Sequence, residues 1–291
     1  MLSDIWHQKG FIDMIQSIKY KGAGREVCAF FVFIIQVVLV STCFSSCVQD
    51  SNSQVVNHAH KVVVPTEDAD TLKQLTETLY SKNDLLGKFD PASHPDFVRI
   101  DKKYTSKEGI YMRKETYEAY QRMHDAAAKD GVQLIIISAT RNFNYQKGIW
   151  ERKWNDVKLK GQSDIERSQS ILRYSSMPGT SRHHWGTDLD FNSVSPSYFT
   201  TGNGKKLYNW LVKNAANYGF AQTYTSKNNG RTGYNEEVWH WSYMPLSHLM
   251  LQQYNQFISY DDLTGYAGAS TAKDLKVIEL YVNGIDEQLK K

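Results

Sequence analysis

The stretch Ser181-Arg182-His183-His184-Trp185-Gly186-Thr187-Asp188-Leu189-Asp190-Phe191 sets two imidazoles beside two carboxylates, in a chain with only 9 histidines. A second dense stretch, Glu236-Glu237-Val238-Trp239-His240-Trp241, follows further along. Thr187 to Asn192 alternates like a strand, which puts Asp188 and Asp190 on one face. Only one of them can then be a metal ligand without help. His183 and Asp190 are seven apart, so a continuous strand would point them to opposite faces. Gly186 between them allows the backbone to be re-aimed. Together the two stretches offer a His, an Asp, a second His and a spare Glu. That is the donor set of a catalytic zinc site, which takes three protein ligands, leaves one position for water and needs a base beside it.

The rest of the composition narrows the field. Without its N-terminal segment the chain keeps about 240 residues, enough for one good-sized domain. A net charge of +3 and the lack of a dense basic run exclude nucleic acid as a partner. The 7 Trp, 18 Tyr and 12 Phe serve either core packing or a groove that touches sugars or peptides. The three cysteines, Cys28, Cys43 and Cys47, all lie early. The body therefore uses neither disulfides nor thiolate ligands, and a metal must sit on His and carboxylate.

In order, the chain divides into residues 1–47, a tether over 48–69, a main domain over 70–260 with a helical lead-in, and a C-terminal loop and helix over 261–291. Val27 to Val40 is almost wholly apolar and follows Lys19, Lys21 and Arg25. It is short for a membrane span and suits a signal-peptide core. The small residues before Cys43 and Cys47 resemble the lipobox of bacterial lipoproteins, so either cysteine is a candidate for lipidation. An uncleaved N-terminal anchor is the alternative. Both readings export the body to the cell envelope as a membrane-anchored protein, periplasmic or on the outer membrane.

Helical spacing is expected over 70–82, 114–129, 144–158, 163–174, 204–218, 246–259 and 271–290, and strands over 132–138, 187–192, 220–224 and 238–243. Residues 85–100, with Pro91 and Pro95, read as a covering loop. This irregular alternation predicts an α+β fold, a small mainly antiparallel sheet flanked by helices.

Ser181-x-His183-x-x-Gly186-x-x-x-Asp190, followed by Glu237-x-Trp239-His240, resembles the paired signatures of the LAS-type zinc peptidases, which include the VanY-like D-alanyl-D-alanine carboxypeptidases. Ser138-x-x-Arg141 with Gln146 downstream resembles that family's arginine-bearing turn. The likeness runs from about residue 85 to residue 244 and implies the LAS/hedgehog-like fold. It implies His183, Asp190 and His240 as ligands of Zn2+, Glu237 as general base, Arg141 as a catalytic cation for a substrate carboxylate or the oxyanion, and Gln146 as a substrate-binding residue; Ser181 either hydrogen-bonds the substrate or forms a turn with Gly179-Thr180. Asp188 departs from the pattern, which has a small apolar residue there; it either braces a ligand imidazole or is merely tolerated.

Glu237 and His240 are three apart, so the backbone must bend near Val238-Trp239, or the base is Glu236. Arg182 would point away from His183 if its segment is extended. His184 is expected to face solvent or to brace a ligand, and Trp239 and Trp241 to pack around the site. The resemblance implies an exported peptidase that removes a terminal D-alanine from peptidoglycan stem peptides. A peptidoglycan endopeptidase of the same family is the alternative within enzymes. A non-catalytic, zinc-stabilised cell-wall binding domain is the alternative outside them.

Overall fold

The computed structural model describes residues 80–290. The apolar segment, Cys43 and Cys47, the tether and residues 70–79 of the expected first helix lie outside the described residues. Among the described residues, no helix is long and apolar enough to cross a membrane.

A four-stranded antiparallel sheet carries the architecture. Its strands are β3 (Ile136–Ser138), β4 (Asp188–Phe191), β5 (Phe220–Gln222) and β6 (His240–Tyr243), in the order β3-β4-β6-β5. A separate antiparallel pair joins β1 (Phe97–Arg99) and β2 (Tyr111–Arg113). The helices are α1 (Lys82–Leu86), α2 (Lys114–Lys129), α3 (Phe143–Trp154), α4 (Asp164–Ile171), α5 (Gly202–Asn214) and α6 (Met244–Phe257). The α+β expectation holds.

Strand alternation decides what each face of the sheet does. On β4, Leu189 and Phe191 enter one apolar core with Tyr120, Met123, Leu134, Ile136, Leu207 and Trp241. Asp188 and Asp190 point the other way. The register sets Asp190 opposite His240 and Asp188 opposite Ser242. One sheet face therefore builds the core and the other carries polar chemistry. The core face is covered by α2, whose buried Ala119, Tyr120, Met123 and Ala127 repeat at helical spacing. Of these, the fully buried Met123 contributes roughly 1.5–3 kcal/mol. The helix ends at Asp130-Gly131, where Val132 N–H reaches back to the Ala127 carbonyl at 2.9 Å.

A second core gathers Trp150, Leu172, Met177, Trp185 and Tyr254 with Leu263, Tyr266, Val277 and Val282 of the C-terminal part. Several expected elements differ in extent. The covering loop over 85–100 holds the end of α1, which is capped by Ser81 in a reciprocal capping box with Asp84, and all of β1. The strand expected over 132–138 pairs only from Ile136. The helix expected over 271–290 is not one helix. It is broken into a 3-10 turn at Ala269–Thr271, a single π-turn at Ile278–Val282 and a 3-10 turn at Glu287–Leu289. Lys276 sits at φ 48°, which a continuing α-helix cannot contain.

Candidate metal centre and active site

His183 does not lie on a strand. Arg182–Trp185 form a 3-10 turn that ends at Gly186, with φ 74° and ψ 16°. A side chain at Gly186 would be strained by that φ, and its Cβ would sit 2.4 Å from the Phe97 ring. The turn swings His183 to the side where β4 presents Asp190, so the odd spacing that would separate them on a strand does no harm. The turn is tied down at both ends. Arg141 N–H donates to the His183 carbonyl at 3.1 Å, and Arg113 N–H donates to the Gly186 carbonyl at 3.1 Å. The Arg113 guanidinium, itself buried, donates to the Trp185 carbonyl at 2.8 Å.

His183, Asp190 and His240 are all buried, and one donor atom from each lies within 4.8 Å of the others. The hydrogen bonds fix which nitrogen of each ring is free. His183 donates Nδ1–H to the Ala139 carbonyl at 2.8 Å, which leaves Nε2 turned toward Asp190 Oδ2 at 3.4 Å. His240 Nε2 meets Asp188 Oδ1 at 2.9 Å, and Nδ1 faces Asp190 Oδ1 at 3.1 Å. Each imidazole therefore has an outer acceptor that orients it and an inner nitrogen turned toward Asp190, the third candidate ligand, which is how metal-binding histidines are held. Two imidazoles and one carboxylate suit zinc. The residues fit a zinc ion.

Asp188 is no bystander. Its carboxylate is fully buried and accepts from His240, from Arg182 Nε at 3.1 Å, from Thr187 Oγ1 at 2.6 Å and from Ser242 Oγ at 3.0 Å. Burial alone would raise its pKa; the Arg182 guanidinium and His240 outweigh burial and hold it below the usual carboxylate range. Asp190 is likewise held well below that range, because His183 and His240 outweigh its burial. His240 is pulled in both directions. Burial disfavours its charge, but the hydrogen bonds to Asp188 and Asp190 push it up to about 9.

The bend required at Val238-Trp239 is present: His240 N–H bonds the Glu237 carbonyl at 3.2 Å across a turn. Glu237 is thereby buried beside the centre, with Oε2 3.9 Å from His240 Nδ1, whereas Glu236 is exposed. Burial raises the Glu237 pKa; His240 and Arg141 oppose the rise, Asp190 adds to it, and the carboxyl comes to about 7. One cleft is lined by Arg141, Ser181, Arg182, His183, Glu237 and His240 together with Tyr174, Ser176, Tyr224 and Tyr234. Three buried polar atoms lining it, Arg141 Nε, Ser181 Oγ and Arg182 Nη1, have no hydrogen-bond partner among the described residues. Buried donors left open in this way mark a place for an acceptor to dock.

Gln146 stands behind the cleft. It is fully buried and donates to the Ser176 carbonyl at 2.8 Å. His184 is a correction, because it neither faces solvent nor braces a ligand. It is fully buried, with Nδ1 bonded to the Arg141 carbonyl and Nε2 accepting from Gly179 N–H at 3.0 Å. Burial disfavours the charged ring, and the nearby Arg141 and His183 charges add to this; against the hydrogen bond to the Arg141 carbonyl, they bring it down to about 3. Trp239 and Trp241 also depart from expectation. Both lie in the first core with Phe199 and Phe220, on the far side of β6 from His240. Tyr224 and Tyr234 were not singled out in the sequence. Among 18 tyrosines, nothing local sets them apart.

Residues 109–246 match the VanY family model, described as D-alanyl-D-alanine carboxypeptidase. YodJ of Bacillus subtilis is 32% identical over 169 residues, covering 55% of this chain and 56% of its own. A D-alanyl-D-alanine carboxypeptidase of Enterococcus faecalis is 32% identical over 124 residues, covering 43% of this chain and 45% of its own. The chain thus spans about half the length of the curated relatives it matches. Among solved structures, VanYB in complex with D-alanine-D-alanine is 23% identical at a TM-score of 0.42, over 66% of this chain and 89% of that one. The resemblance drawn from the paired motifs is borne out by the family model: residues 109–246, a little under half of the chain, match the VanY family.

Proposed function

We propose that this chain is a zinc peptidase that removes the terminal D-alanine from peptidoglycan stem peptides. One observation carries the reading: a His-Asp-His centre, a buried glutamate and three unpartnered donors converge on one cleft. The match of residues 109–246 to the VanY family model and the D-alanyl-D-alanine carboxypeptidase name of the Enterococcus faecalis relative support the substrate class. His183, Asp190 and His240 would hold the zinc, which supplies Lewis acidity and makes water acidic enough to deprotonate near neutral pH.

Glu237 does the proton work. Its carboxyl, brought to about 7 by burial, is a base in its ionised form and an acid once charged with the water's proton. It takes that proton as oxygen attacks the carbonyl carbon, then delivers it to the departing amine nitrogen. The C–N bond breaks, one water is consumed, and free D-alanine and a shortened peptide leave. Arg141 Nε–H and the Ser181 hydroxyl offer hydrogen bonds to substrate oxygens, and a guanidinium is suited to a carboxylate.

A carboxypeptidase must tell a free carboxylate from an amide, and Arg141 is the cation placed to do so. Mass spectrometry of pentapeptide stems incubated with zinc-loaded protein tests this. The expected result is loss of one D-alanine from the free acid and no loss from the C-terminal amide. Equal cleavage of acid and amide would move the reading to the endopeptidase.

We further propose that the body is exported and tethered by acylation at Cys43 or Cys47, on the lipobox-like residues around them. A fatty-acid analogue should label the full chain in cells, and label that persists in a Cys43→Ser, Cys47→Ser double variant would rule acylation there out.

A further inference from the structure

The chain continues past the matched region, and its last part packs behind the cleft. Four rings form a file. Tyr281 stands edge-on to Tyr234 with centroids 5.1 Å apart, Tyr234 to Tyr224 at 5.0 Å, and Tyr224 lies 4.7 Å from His240. Tyr224, Tyr234 and His240 line the cleft, and Tyr281 is not among its lining residues.

Both stems of the loop that carries the two cleft tyrosines are tied to the same C-terminal stretch. Asp286 N–H donates to the Thr223 carbonyl at 2.9 Å, and Thr225 Oγ1 donates to Asp286 Oδ2 at 2.6 Å. Arg231, buried, donates Nη1–H to the Gly284 carbonyl at 3.0 Å and holds the Thr225 carbonyl through Nε and Nη2 at 2.9 and 2.7 Å. Thr232 Oγ1 donates to the Leu280 carbonyl at 3.0 Å. At Gly233, with φ 75°, a Cβ would fall 2.3 Å from that same carbonyl oxygen, so the two segments meet backbone to backbone.

Between β5 and β6 the only regular structure in this loop is a 3-10 turn at Lys227–Asn229. A connection of that kind does not hold two side chains in place by itself. We infer that residues 280–286 clamp this loop, so that Tyr281 and Asp286 act as positioning residues for turnover although neither lines the cleft. The inference rests on the peptidase reading above. Tyr224 and Tyr234 line the same cleft as Arg141 and Ser181 and so form part of the wall that would position a bound peptide, and Tyr224 also packs against the His240 ring. Releasing the clamp lets that wall move, and small displacements of a positioning wall are costly in rate.

The test uses the full, zinc-loaded chain on a stem pentapeptide with a free carboxylate. Rates are taken per bound zinc and well below each variant's own melting temperature, so that lost stability does not register as lost turnover. Tyr281→Ala is expected to lower kcat/KM roughly ten- to a hundredfold, with Tyr281→Phe, which keeps the ring, close to the unaltered chain. Asp286→Ala is expected to lower it in the same direction and Asp286→Asn to restore most of it. If Tyr281→Ala fails to fold, the Asp286 pair carries the decision by the same comparison. Values for both alanine variants within about twofold of the unaltered chain, or conservative variants as poor as the alanine ones, overturn the clamp while leaving the peptidase reading intact. An unaltered chain that cuts no stem peptide overturns that reading, and the clamp with it.

Discussion

Glu237→Gln is expected to lower kcat by roughly 10²- to 10⁴-fold with zinc still bound. The substitution keeps volume and shape and removes only the ability to accept a proton. Glu237 is 8% exposed and faces His240 Nδ1 at 3.9 Å, a position set by the Val238-Trp239 turn. Glu236→Gln, at an exposed position, is the matched control and should leave kcat unchanged. Alanine at His183, Asp190 or His240 separates the two kinds of loss, since each should release the metal as well as the rate.

The pH profile carries the sign of the same argument. Burial raises Glu237 to about 7, and the base must be ionised, so kcat/KM rises with pH through the Glu237 titration. A dication beside the carboxylate favours its charge, which puts the midpoint of that acid limb at or below about 7. A Glu237→Gln enzyme that keeps near-normal turnover per zinc, or a rate that falls with pH across that range, would remove Glu237 from the proton path.

Much of this site could be read from the chain because strand periodicity is a strong constraint. The alternation from Thr187 to Asn192 set Asp188 and Asp190 on one face, and the distance between Glu237 and His240 demanded a bend, which the turn at Val238-Trp239 supplies. What escaped has a common cause. The direction of His183 depends on a 3-10 turn closed by the nearby Gly186 but held by Arg113 and Arg141, both distant in sequence. His184 is buried because the Arg141 carbonyl and Gly179 N–H arrive from separate segments to meet its two nitrogens. The C-terminal residues had helical spacing, yet tertiary contacts divide them into short turns, with Ala272, Val277, Val282 and Ile285 buried one by one in the second core. Local pattern predicts an element well where one face must be buried, and poorly where partners far along the chain decide.

Asp188→Ala is expected to destabilise the fold by about 3–5 kcal/mol and to weaken zinc binding by about 10- to 100-fold. The two effects have separate origins in one carboxylate. Arg182, 1% exposed, loses its charged partner and stays buried with Nη1 unpartnered, Nη2 on Ser242 Oγ at 2.8 Å and its guanidinium over Trp185. That uncompensated charge drives the stability loss. His240 loses the acceptor on Nε2 that fixes its ring and tautomer, which drives the loss of metal.

Further substitutions can divide these effects. Asp188→Asn still offers an oxygen to His240 but no charge to Arg182, so zinc affinity should recover more than stability. Replacing Arg182 by leucine in the Asp188→Ala background removes the stranded cation, so stability should recover more than zinc affinity. Denaturant unfolding of the metal-free protein reads the first quantity, and competition with a chromophoric chelator reads the second. If Asp188→Ala unfolds at the unaltered midpoint and holds zinc as tightly as the parent, then the aspartate is only tolerated where the family pattern has a small apolar residue. If both losses appear and respond separately, Asp188 and Arg182 form a buried pair that orients His240.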